Sequence, residues 1–449
     1  MSTEPTAGTT AGAAGHPGVS GHPGVSGHPG VSGQPGVVER TGVAEPAAVV
    51  EHSGVPGQPG VVERTGVAEP AAEPGRGGRT RLPSVVQRLW PVVRRFLPVG
   101  VLVLLAAVPY TNLRIPLVFD RPLNAPGTLH LLAICLVFGG LALSYDLMFG
   151  RTGMLSFGHA LYFAAGGYGT AILLAQTTWP LWTVAVVAIV GATVLAALLG
   201  SVALRTKGIA FAMVTLAFAQ IGAIAASRNP GRLTGGEEGL SLDGRRLPEA
   251  LVGVVNTVNL YWLALAFVAL VAFVVHRIDD APAGRVLAAV RDDDRRVDVL
   301  GLSPYRYRLL AFVIAGALAS IGGVVYVLLI GGANPGLTAS DLTLSLLVMV
   351  VLGGPGTRWG PLAGGVVFAY LDHRLTAVGS SDAVERLPSV LSGPLSEPLF
   401  ILGTVFILAV YFFPGGLAGL AHRLGPLQRL LRSRASTGGS AGVSGRTPS

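Results

Sequence analysis

Ten apolar runs recur along the chain, at roughly 92–110, 129–148, 155–175, 180–203, 206–227, 252–275, 309–330, 341–354, 359–377 and 397–413. A bilayer core is about 30 Å thick and takes about 20 helical residues to cross. Lipid offers no partner for backbone N–H and C=O groups, so a crossing segment must pair them internally. These runs therefore predict an all-α polytopic membrane protein of about ten transmembrane helices. Composition agrees, at 51% hydrophobic and 12% charged residues with a mean hydropathy of +0.60, where soluble domains carry about 25% charged residues. Several runs are apolar around their whole circumference, as lipid-facing or buried helices are. The run at 341–354 is short for a full crossing and reads as tilted or partly re-entrant.

Basic residues in the links orient the spans. With the N-terminus in the cytoplasm, the inner segments hold 20 Lys and Arg: four at 81–95, Arg151, Arg205 and Lys207, seven at 277–308, Arg358, and five after 420. The outer links hold eight: Arg114, Arg121, Arg228, Arg232, Arg245, Arg246, Arg374 and Arg386. Cytoplasmic links are enriched in Lys and Arg, so both termini are expected in the cytoplasm of a bacterial cell, with the spans in the plasma membrane.

Two tails flank this membrane part. In residues 1–80, GHPGVS occurs three times and GQPGVVERTGVAEPAA twice, with no aromatic residue. Such a composition buries too little surface to offset chain entropy and reads as a disordered tail. No apolar core of a secretory signal follows Met1. His16, His22 and His28 recur with the repeat and read as products of its expansion. Residues 423–449 read as a second, basic and mostly disordered tail, leaving 81–422 as the membrane domain. The net charge is +8, of which the first 80 residues carry −3 and the remainder +11. That excess lies in short links and not on a soluble domain, which argues against nucleic acid as a partner. The single cysteine, Cys135, lies in an apolar run and excludes a disulfide framework.

The longest charged inner link reads HRIDDAPAGRVLAAVRDDDRRVDVLGLSPYRYR, residues 276–308. Pro282 suits the first turn of a helix running to about Leu300, and Gly301 suits its stop. Val286, Val290, Val297 and Leu300 fall on one stripe of that helix, with Arg291, Asp292, Arg295 and Asp298 away from it. Asp294 is expected to reach Arg291 or Arg295. Ser303-Pro304 then opens the next membrane helix. Such an amphipathic element either bridges two spans in solvent or docks into a groove on a partner.

Gly150 to Thr170, GRTGMLSFGHALYFAAGGYGT, is unusually small and polar for a membrane run. Non-helical backbone is tolerated at membrane depth where protein or water surrounds it, and glycines let helices approach closely. Ser156, Thr152 and Thr170 are expected to satisfy backbone groups in a broken helix. His159 is an intramembrane ionisable group, and so a candidate for a gating, structural or substrate-contacting role. Asp146 is expected to pair with Arg151. The glycines of 353–365 read as a turn between two helices.

This stretch resembles the signature of the branched-chain amino-acid family of ABC importer permeases, carried here by Gly150, Gly153, Ser156, Gly158, His159, Ala160, Gly166 and Tyr168. In the same order, RTKGIAFAMVTLAFAQI (205–221, with Thr215), LTGGEEGLS (233–241, with Thr234 and Gly235), GRVLAAVRDDDRRVDVLGLSPYRYRLLAF (284–312), VVLGGPGTRWGPLAGG (350–365) and FFPGGLAGL (412–420) are similar to further family segments. The long inner link and FFPGGL favour the M-type subunit over its shorter H-type partner. The resemblance implies Ser156, Gly158, His159, Tyr168, Thr215, Thr234 and Gly235 as candidates for the substrate path or its gates. It implies Arg285, Val286, Val290, Arg291, Val297, Leu300 and Gly301 as the ATPase-coupling loop. It also implies as partners an H-type permease, two cytoplasmic ABC ATPases and an extracellular substrate-binding protein. Departures fall at Asp146, where the family has Asn nearby, and at Val297-Asp298-Val299, in place of Ala-Glu-Ala.

The sequence excludes some chemistry directly. A phosphate-cradling P-loop needs Gly-Lys-Ser/Thr, and Lys207, the only lysine, is followed by Gly208. ATP is therefore expected to be used by partner chains, with no cofactor and no metal in this one. HExxH and CxxC patterns are absent, so a transport subunit is expected and not an enzyme. Urea or short amides remain alternative cargoes, and a gradient-driven carrier an alternative class.

Overall fold

In the computed structural model the described residues are 100–112, 114, 122–253, 256–379, 398–412 and 415–419. The predicted tails, with their repeats and histidines, lie outside them. The helices are α1 Gly100–Tyr110, α2 Pro126–Thr152, α3 His159–Gln176, α4 Leu181–Ala203, α5 Ile209–Arg228, α6 Thr257–Asp280, α7 Pro282–Asp292, α8 Asp294–Val299, α9 Pro304–Ile330, α10 Ser340–Gly353, α11 Gly360–Gly379 and α12 Pro398–Phe412. Every one of the ten apolar runs overlaps one of these helices. Five of them (α2, α4, α5, α6 and α9) are long and apolar enough to cross a membrane. The chain is thus an all-α polytopic membrane protein. α10, with 14 residues, spans roughly 21 Å at 1.5 Å per residue, so it falls short of a full crossing as its length suggested.

α2 is the central element: it packs against α6, α9, α10 and α11, while α9 also holds α3 and α4. Glycine sets the closest approach. A Cβ on Gly166 would strike the backbone of Ser320, and one on Gly323 would strike Phe163 O and come within 2.9 Å of Gly167 N. α3 and α9 therefore meet backbone on backbone, which small residues alone permit. At one end of the bundle lie α7 and α8. At the other, Leu240–Ser241 (β1) pairs antiparallel with Gly332–Ala333 (β2), with Leu240 opposite Ala333.

Candidate gating segment and coupling loop

The polar stretch does not form one helix over 155–175. α2 runs to Thr152 and stops at Gly153, whose φ of 69° is left-handed. Gly153 N–H donates to Phe149 O, and Met154 N–H to Met148 O, which closes the helix end as a glycine C-cap does. Residues 153–158 are irregular, and α3 begins only at His159. Hydroxyls satisfy this break, several of them from other helices. Tyr145 OH donates to Ser156 O at 3.0 Å, Phe157 N–H to Thr215 Oγ1 at 3.0 Å, Gly158 N–H to Ser156 Oγ at 3.2 Å, and Ala160 N–H to Thr343 Oγ1 at 3.2 Å. The start of α3 therefore spends these donors on protein and offers them to no anion. Gly158 fits tightly: a Cβ there would lie 3.0 Å from Thr215 O.

His159 is 0% exposed. Ser144 Oγ lies 2.7 Å from Leu141 O and 3.0 Å from His159 Nε2. The other ring nitrogen is Nδ1. That Nδ1 has no hydrogen-bond partner among the described residues, nor does the buried Tyr168 hydroxyl. The Tyr145 ring packs edge-on against the imidazole at 5.3 Å. Thr170 returns its hydroxyl to Gly166 O at 2.8 Å, a back-bond within its own helix.

Where α2 ends, charges are buried together. Asp146 is 0% exposed and pairs with Arg151, as expected. Arg151 also grips both carboxylate oxygens of Asp279, at 2.6 and 3.0 Å. The other Asp146 oxygen accepts the N–H of Gly356 at 2.8 Å. A Cβ on Gly150 would collide with Asp146 and Gly356. The turn between α10 and α11 is held to α6 as well: Arg358 pairs with Asp280 at 2.7 Å, and the Trp359 ring packs at a tilt against His276, 4.5 Å between centres. Gly415 and Ala418, from the C-terminal motif, lie against Gly354.

The charged link differs from its expected form in three ways. It is two helices, α7 and α8, broken at Asp293, whose carboxylate accepts Arg295 N–H at 2.9 Å and caps α8. Three successive acids at 292–294 oppose the partial negative charge at a helix C-terminus, and an Asp N-cap supplies the alternative. The apolar stripe faces inward: Leu287, Val290 and Val297 are buried and Val286 is half-buried, whereas Leu300 is 76% exposed and Val299 87% exposed. Asp294 pairs with Arg308 at 2.7 Å and Lys207 at 3.1 Å, not with Arg291 or Arg295. Arg285, Ala288, Ala289 and Asp292 share the exposed face of α7. Arg291 is exposed as well, and its guanidinium donates to Gly150 O. Gly301 is the stop expected, at φ 78°.

Thr234 and Gly235 lie at the opposite end of the bundle. Asn229, left-handed at φ 49°, accepts the backbone N–H groups of both, and Thr234 Oγ1 donates to Ala226 O at 2.7 Å. A Cβ on Gly235 would strike Gly239 O, and one on Gly239 would strike Ala333 O. The motif closes α5 and seats its loop against β2. The structure thus joins Ser156, Gly158, His159 and Thr215 in one place, and separates them from Thr234 and Gly235. Ser144, Asp279, Thr343 and Gly356 complete the contacts. They lie in four different segments, and spacing within a segment carries no trace of contacts between helices. Among the described residues no group of three or more His, Cys, Asp or Glu is placed to hold a metal ion.

A sequence profile of the branched-chain amino acid transport system permease component matches residues 127–421. The chain is 28% identical over 267 residues to the high-affinity branched-chain amino acid transport system permease protein LivM of Escherichia coli, covering 54% of this chain and 62% of that one. It is 26% identical over 259 residues to the corresponding LivH permease of the same organism, covering 54% and 82%. It is 30% identical over 197 residues to the autoinducer 2 import system permease protein LsrC of Yersinia enterocolitica, covering 42% and 50%. The chain thus spans less than two thirds of the LivM protein that it matches.

Proposed function

The chain belongs to the family of branched-chain amino-acid transport permeases, and from that premise we propose that it is the M-type membrane subunit of an ABC importer. In this reading it moves branched-chain or related small amino acids across the plasma membrane beside an H-type permease. Two cytoplasmic ATPases drive it, and an extracellular substrate-binding protein delivers the cargo. ATP is used by the ATPases alone, and this chain needs no cofactor.

The observation that carries the reading is the α7–α8 segment. Its apolar residues Leu287, Val290 and Val297 anchor it to the bundle, and it presents Arg285, Ala288, Ala289, Asp292, Val299 and Leu300 outward. Two alanines let a partner helix come close, and two exposed aliphatics at the end of α8 supply apolar anchors. The α7 end also carries most of the basic residues. Arg151, Arg205, Lys207, Arg277, Arg285, Arg291, Arg295, Arg296, Arg306, Arg308 and Arg358 lie there, against Arg114, Arg228, Arg232, Arg245, Arg246 and Arg374 at the other. This bias supports a cytoplasmic α7 end.

The test is reconstitution of the permease pair and ATPases in vesicles loaded with labelled leucine and the binding protein, with ATP on the ATPase side. Ala289→Arg and Leu300→Asp should abolish ATPase copurification and leucine transport while leaving the permease folded, since both side chains are exposed. Full transport by the double variant would sink the docking face. Transport by the permease without ATPases would identify a gradient-driven carrier instead. Competition by urea or acetamide, but not by valine, would move the cargo to short amides.

A further inference from the structure

The α7 helix rests on the bundle through Leu287 and Val290, which are apolar contacts without directional preference. One polar contact fixes its register. Arg291 reaches across 141 residues of sequence to donate to Gly150 O, at the point where α2 gives way to the irregular segment 153–158. Its stem fills the space above Gly153, where a Cβ would lie 3.2 Å from Arg291 Cγ, and its Nη1 lies 3.2 Å from a Cβ placed on Gly356. Gly150 O is one of the last carbonyls of α2, which have no partner within the helix. A guanidinium is suited to such an oxygen because it stays charged and its donors are rigidly placed.

What Arg291 grips is a body tied in several directions. Arg151 bridges Asp146 and Asp279, Asp146 holds Gly356 N–H, and Arg358 and Trp359 hold α6. From Gly150 the chain continues through Gly153 to Ser156 and Phe157, which are bonded to Tyr145 and Thr215, and then into α3. A displacement of α7 therefore has a polar route into the start of α3.

We propose that Arg291 is a positioning residue for transport: it makes α7 and the Gly150–Gly158 segment move as one unit, so that displacement of α7 is delivered to the break before α3. The inference rests on the functional reading above, in which the ATPases displace α7.

The test replaces the arginine contact by a reversible covalent one. The Arg291 Cβ lies 3.8 Å from a Cβ built on Gly153, within the 3.5–4.5 Å that a disulfide needs. The one native thiol, Cys135, is buried. In the importer, Arg291→Ala should transport leucine several-fold more slowly per copurified ATPase, with Arg291→Lys intermediate. Gly153→Cys/Arg291→Cys, compared with Gly153→Cys alone because a side chain at φ 69° is strained, should form the disulfide in equal yield with and without ATP. It should transport slowly when reduced and several-fold faster when oxidised. Failure of the bond to form, a yield that depends on nucleotide, or transport unchanged or lowered by oxidation would each overturn the proposal. So would loss of ATPase assembly in Arg291→Ala, which would make the contact structural. Failure of the wild-type importer to transport leucine would instead count against the functional reading, and the nucleotide dependence of the disulfide yield still tests this one.

Discussion

At the α7 end, guanidinium groups bridge buried carboxylates and helix-end carbonyls. At the opposite end, an Asn–Thr cap and left-handed glycines seat a loop on a two-residue β pair. Both arrangements close helices where the chain leaves the apolar layer, yet they fail differently. A buried ion stripped of its partner has no water to turn to, so removal of one member costs far more than the pair contributes. A glycine turn is neutral, and its substitution costs only the steric and backbone terms of that residue. The α7 end is thus sensitive to the loss of a charge, and the β-pair end to the gain of a side chain.

Four single substitutions, one of them with a second-site rescue, test that contrast in falling order of effect. Arg151→Ala leaves Asp146 ionised or forces it to protonate at 0% exposure, and is expected to cost about 3–5 kcal/mol, read as a lowered unfolding temperature in detergent. Ser144→Ala removes the hydroxyl facing His159 Nε2 and should cost about 1–3 kcal/mol. Adding His159→Leu should recover part of that loss, because the buried ring nitrogen that lost its partner is then gone. At the β-pair end, Gly235→Ala imposes a Cβ at φ 76° against Gly239 O. It should cost about 1–2 kcal/mol from backbone strain alone, and raise proteolysis within 229–251 more than global unfolding. A Gly235→Ala effect equal to that of Arg151→Ala would break the comparison. Lys207→Ala should change stability by at most about 0.5 kcal/mol, because its ion pair with Asp294 leaves the lysine 75% exposed. High salt should erase even that difference.

Much of the fold is legible in the chain itself, because a membrane segment must be apolar for about 20 residues and must end in identifiable ways. Pro282, Gly301 and Pro304 mark ends where they were expected. What stayed hidden depended on choices between near-equal local structures. In the run at 155–175, α3 starts only at His159, because the hydroxyls of Thr215 and Ser156 take the N–H groups of Phe157 and Gly158. The charged link broke at Asp293 because three acids in a row favour a new cap over a continued helix. Its stripe was found but its direction was reversed. Helical periodicity tells which residues share a face and not whether that face meets the protein itself or a partner. Leu287 and Val290 turned inward, and Val299 and Leu300 remained outside.

Lys207 has a consequence of a different kind. It is the only lysine in the sequence and its side chain is 75% exposed beside α8. Apart from the terminal amine, an amine-reactive dye therefore has one address on the polypeptide. A membrane-impermeant version would label right-side-out and inverted vesicles unequally at that address and report which face α7 occupies. Coupled to this chain alone, the same dye would sit beside α8 as a fluorescent reporter, without any engineered attachment point.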